Sequence, residues 1–70
     1  MTDASARETA ATVERVGEIA GQLREIESRL GESPSAAVEM SLLERAAELA
    51  DEAVGLLERI GRAESGRGVA

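Results

Sequence analysis

Apolar residues recur along this chain in steps of three and four, never in alternation. From Val13, the series Val16, Ile19, Leu23, Ile26 and Leu30 keeps that step. A second series, Leu42, Leu43, Ala46, Leu49, Ala53, Leu56, Leu57 and Ile60, does the same. At about 100° per residue this spacing lines each set along one side of a helix. No stretch alternates with period two, and β-branched and aromatic residues are too sparse for strands. The pattern therefore predicts an all-α chain with two helices.

The break between them falls at Leu30-Gly31-Glu32-Ser33-Pro34-Ser35, around the only proline. Gly31 is expected to adopt the left-handed conformation that closes a helix. Ser33 is expected to cap the next one, with Pro34 at its first position, where the missing N–H costs nothing. The first helix is expected after Ser5, because Ser5-Ala6-Arg7-Glu8 has capping-box spacing, with Asp3 as the competing cap. The second should end between Ile60 and Glu64, leaving Ser65–Ala70 as a loose, flexible tail. The expected fold is thus a single domain over residues 1–70, an antiparallel hairpin of helices at about 5–31 and 34–62.

A heptad frame refines this. With Val16, Leu23 and Leu30 at position a, Thr12, Ile19 and Ile26 fall at d, Val13 and Ala20 at e, and Ala10 and Gly17 at b. In the second helix, Ala46, Ala53 and Ile60 take a. Leu42, Leu49 and Leu56 take d, Leu43, Ala50 and Leu57 take e, and Ala47 and Val54 take b. The apolar arc runs d, a, e, b and spans about 160°, wider than the a/d seam of a two-stranded coiled coil. One neighbour cannot cover it. The uncovered flank would hold Val13, Leu43, Val54 and Leu57, and contiguous apolar surface of that kind marks an interface.

Composition adds force to that expectation. The chain has 70 residues and neither Cys, His, Phe, Trp nor Tyr. All 8 of its basic residues are Arg. A chain below about 70–80 residues rarely stabilises itself by core burial alone. With no thiol and no imidazole, disulfides and zinc are excluded as staples, and oligomerisation remains. The expected assembly is an antiparallel four-helix bundle of two hairpins, or a hairpin docked on a larger protein. The candidate interface comprises Val13, Val16, Ile19, Leu23, Ile26, Leu30, Leu42, Leu43, Leu49, Val54, Leu56, Leu57 and Ile60.

The same absences bound the chemistry. Ser-His and Cys-His nucleophiles, Schiff-base lysines and the P-loop lysine are all excluded. Without rings there is no base stacking, and a net charge of −6 repels a phosphate backbone, so no nucleic-acid partner is expected. Glu44, Glu48, Asp51 and Glu52 form an acidic ridge, with Glu14, Glu18 and Glu25 as its counterpart. These fall at c, f and g, the solvated side, and lack the His of di-iron bundles and the spacing of an EF-hand. No catalytic residue, cofactor or metal site is expected, nor a membrane segment, and the cytoplasm is the default location. An acidic inhibitor that mimics nucleic acid is a further alternative.

A shift of thirty residues superposes Val13–Gly31 on Leu43–Gly61. Glu14/Glu44, Arg15/Arg45, Glu18/Glu48, Ala20/Ala50, Arg29/Arg59 and Gly31/Gly61 are then identical. Two amphipathic helices of such composition can match by chance, and two copies are weak repeat evidence. Either way, both helices present the same kind of face.

Acidic helices and a short loop give the hairpin a superficial likeness to the small subunit of exonuclease VII. Leu49 and the pair Leu56-Leu57 fall where that family has a leucine-rich second helix. That family's longer Gly-containing loop and its aromatic residue on helix two are absent here. The likeness is one of helical-hairpin composition, and it implies only that such a hairpin can serve as an accessory subunit.

Overall fold

The computed structural model describes the backbone of residues 2–68 and the side chains of residues 6–62. Two helices, α1 (Thr2–Leu30) and α2 (Ala36–Gly68), pack against each other as a hairpin. Among the described residues there is no strand. The molecule is a rod of 53 × 18 × 13 Å.

Both helices outrun the limits expected from sequence. α1 begins at Thr2, so the Ser5–Glu8 capping box lies inside it rather than at its start. Nothing in the alanine-rich stretch from Thr2 to Ala11 interrupts a helix. α2 continues through Gly61 and Gly66 to Gly68, so Ser65–Gly68, expected as a tail, is helical backbone. A glycine stops a helix by taking positive φ, and no described glycine does so. Val69 and Ala70 lie outside the described residues.

The loop departs from the expectation in the same way. Gly31 keeps negative φ, and its N–H still donates to the Glu27 carbonyl at 3.1 Å. The chain then tightens: Glu32 N donates to Arg29 O at 3.0 Å and Ser33 N to Leu30 O at 3.2 Å. The left-handed residue is Ser33, with φ 57°. The residue before a proline ordinarily takes extended backbone, but Ser33 takes the left-handed region instead, at a steric cost to its Cβ. That φ is incompatible with an N-cap, so Ser33 does not cap α2 and Pro34 is not its first residue. Ser35 is the cap instead. Its Oγ accepts from Val38 N at 3.3 Å, and its carbonyl accepts from Glu39 N at 2.8 Å. Glu39 then sits in the first turn, where the helix dipole favours a negative charge.

The core is thin and lies on the a/d seam. Ile19, Ile26 and Leu49, all at d, are buried. Leu23, Leu30, Leu42, Ala46, Ala53 and Leu56 pack around them, half-buried. Towards the free end the seam turns polar at Thr9 and Thr12, and the Thr12 hydroxyl donates to its own helix at the Glu8 carbonyl, 2.8 Å away. There the helices leave an open cleft of about 430 Å³ lined by Thr9, Thr12, Glu8, Arg59, Ile60 and Ala11.

The loop assignments can be checked by denaturant melts. Ser33→Gly should stabilise the hairpin by up to about 1 kcal/mol, the left-handed penalty less the entropy of an added glycine. Ser35→Ala should destabilise it by about 1 kcal/mol through loss of the cap. The opposite ranking would return the capping role to Ser33.

Candidate interaction surface

The hairpin has two broad faces, one on each side of the seam, and they differ in chemistry. In antiparallel helices the g positions of both border one face and the e positions border the other, with c and b further out. The g face is charged. Arg15 reaches across the seam and binds Glu52 with two hydrogen bonds, Nε to Oε2 at 2.7 Å and Nη2 to Oε1 at 2.9 Å. Arg15 also meets Glu18 at 3.4 Å. The same register sets Glu8 opposite Arg59 and Gln22 opposite Arg45, and each pair lines a common groove.

The Arg15–Glu52 fork shifts both groups. Its hydrogen bonds hold the Glu52 carboxyl below the usual range, against the opposing effect of partial desolvation, with help from the charges of Arg15 and Arg45. Hydrogen bonds from Arg15 to Glu52 and then to Glu18 raise the guanidinium further above its already high range. Arg15 is therefore charged at every working pH, and the pair responds to acid through Glu52 alone. Both side chains keep substantial contact with water, so the fork acts more on register than on stability.

The e face carries none of this. From α2 it presents Leu43, Ala50 and Leu57 at e and Met40, Ala47 and Val54 at b. From α1 it presents Val13 and Ala20 at e and Ala10 and Gly17 at b. The large residues among these are all exposed: Met40 58%, Val13 54%, Val54 54%, Leu57 53% and Leu43 47%. Among residues 6–62 the charged residues at e and b are Arg24 and Glu27 of α1, both near the loop; the register also puts Asp3 at b and Glu64 at e, towards the free end. Gly17 opens on empty space, with nothing within 4 Å of an added Cβ.

The thirteen residues expected at the interface thus divide. Ile19, Leu23, Ile26, Leu30, Leu42, Leu49 and Leu56 are engaged inside the hairpin. Val16 and Ile60 are half-buried, and Val13, Leu43, Val54 and Leu57 face outward. Two exposed apolar residues, Met40 and Val38, were missed. Met40 is detectable as the b residue one heptad before Ala47. Val38 lies at g beside the loop, where the sequence expectation had placed no apolar flank.

The thirty-residue similarity has a counterpart in the packing. The two side chains sealed almost completely, Ile19 and Leu49, are related by that shift. So are the pairs Arg15–Glu18 at 3.4 Å and Arg45–Glu48 at 3.3 Å. The likeness breaks at the cross-helix fork, because Gln22 stands where the equivalent of Glu52 would be.

The acidic ridge is dispersed: Glu44, Glu48, Asp51 and Glu52 are all exposed, and Glu48 and Glu52 are engaged by Arg45 and Arg15. Among the described residues no group of three or more acidic side chains converges as a metal site would require, and no helix is long and apolar enough to cross a membrane. Comparison with protein-family models, with curated proteins and with solved structures finds no match.

The fork's linkage to pH has a definite sign. Because folding lowers the Glu52 pKa, its contribution is present above the ordinary carboxylate pKa and is lost as pH falls through the depressed folded value. Glu52→Gln should therefore melt below the parent near neutral pH, and the gap should close in acid. A gap that persists well below the carboxylate range would assign the loss to something other than the ion pair. Gln22→Glu should add the missing second fork to Arg45 and stabilise by a few tenths of a kcal/mol.

Proposed function

We propose that this chain is a small, non-catalytic helical interaction module that assembles by hydrophobic packing of its e face, with self-association into a four-helix bundle as its action. One observation carries the reading. Five of the six large apolar side chains exposed among residues 6–62 lie on a single flank, and the charged positions of that flank, Asp3, Arg24, Glu27 and Glu64, stand at its two ends. Scattered apolar residues are ordinary on a soluble surface, but a contiguous strip opposite a charged face is not.

The stability of the hairpin points the same way. Three buried side chains and a ring of half-buried ones form a small core for two helices of 29 and 33 residues. Helices in proteins gain most of their stability from packing of an amphipathic face. A second layer of helices on the e face would cover the strip that the first contact leaves bare. The g face, with its ion pairs, would remain the solvated side.

Sedimentation equilibrium with paired variants tests this. Leu57→Glu places an unpaired charge in the contact and should weaken association at least tenfold, about 1.4 kcal/mol or more. Glu48→Arg, on the far side, should leave it unchanged. The reverse result would favour the acidic ridge as the binding surface. A parent chain that stays monomeric and fully helical at high concentration would count against self-association.

A further inference from the structure

We infer that the partner is a second copy of this chain, and that its α2 packs antiparallel on α2 of the first about a two-fold axis passing between Ala47 and Ala50. The inference rests on the reading above, that the e face is the surface of assembly, and it names the occupant and the geometry.

Side-chain size varies symmetrically along the exposed strip of α2. Reading outward from its centre, Ala47 and Ala50 are followed on either side by a large residue, Leu43 one way and Val54 the other. A second large residue follows each of these, Met40 and Leu57. The strip is therefore a palindrome of side-chain size. All four large members are exposed, as are both alanines. An isologous contact requires that when residue i touches residue j of the second copy, j also touches i. Any antiparallel pairing about a two-fold meets that condition, and the palindrome adds that facing positions match in size, small with small and large with large. Met40 faces Leu57 of the other copy, Leu43 faces Val54, and Ala47 faces Ala50.

Crossing geometry favours the same arrangement. Packed helices approach most closely where they cross and diverge on either side, with the spacing set by the side chains at the contact. Alanines belong at that crossing and larger residues beyond it, which is the order found. The α1 strip has no such symmetry, because Val13 on one side of Ala20 is answered by Glu27 on the other. The 53 × 18 Å outline of the hairpin bounds a contact on this face at on the order of 900 Å² per copy, close to the about 800 Å² per partner of a standard stable interface.

One consequence is electrostatic. Glu44 and Asp51 lie at f, along the solvent edge of the same strip, and the axis sets Glu44 of one copy near Asp51 of the other. Both are exposed. Their mutual repulsion is screened by salt, so added salt should tighten the dimer.

The chain has no cysteine, which makes the geometry directly testable by cross-linking. Met40→Cys and Leu57→Cys are made separately in the full chain, and a short bis-maleimide is applied to each alone and to their mixture. The mixture should yield covalent dimers, and neither variant alone should, because two copies of position 40 lie about 25 Å apart along the helix axis in this arrangement. Ala50→Leu should weaken the dimer at least tenfold with its helical circular dichroism unchanged, since Ala50 is exposed in the hairpin. Efficient cross-linking of either variant with itself, or a dimer of correct mass with no cross-link in the mixture, would overturn the antiparallel α2 contact but leave the e face as the assembly surface. A parent chain of monomeric mass would overturn both.

Discussion

A helix hairpin has one internal contact, and everything else about this protein follows from how little that contact can cover. The a/d seam seals Ile19, Ile26 and Leu49 and half-covers the residues around them. It cannot reach further around either helix, because each cylinder meets only one neighbour. Side chains placed some 40–100° beyond the seam at e and b stay in water whatever their character. The sequence puts aliphatic residues there on one side and ion pairs on the other. A single packing constraint therefore creates both a core and an uncovered apolar strip.

The two flanks divide the work of specifying the hairpin. On the g face, the Arg15–Glu52 fork joins residues far apart in sequence and accepts only one sliding register of α1 on α2. A fork of this kind adds geometric specificity, while its exposure limits its energy. On the e face no ion pair joins the two helices among the described residues, and surface is left for another helix layer. The thirty-residue likeness fits this division. Ile19 and Leu49 occupy equivalent sealed positions, whereas Gln22 in place of an acid removes the second fork and leaves the register resting on the first.

What was legible in the sequence was what depends on periodicity. Two helices, their break near Pro34, the seam residues and the exposed Val13, Leu43, Val54 and Leu57 all follow from steps of three and four about one axis. What failed was local. Gly31 and Ser33 both had the chemistry for the roles assigned to them, but the left-handed residue is Ser33 and the cap is Ser35, a choice between adjacent residues that helical periodicity does not reach. Helix ends were also misplaced, because glycines at 61 and 66 permit a stop without enforcing one.

The sequence by itself thus determined the faces: which residues share a side of each helix, and which absences of ring, thiol and imidazole leave aliphatic packing as the means of cohesion. Only the tertiary structure decided how far that packing reaches. It showed that Arg15 crosses to Glu52, that Ile19, Ile26 and Leu49 are the side chains buried among the described residues, and that Met40 joins the open strip. The reason is that periodicity fixes angles about one helix axis, whereas burial depends on where the second axis lies, and that is set by contacts between residues remote in the chain.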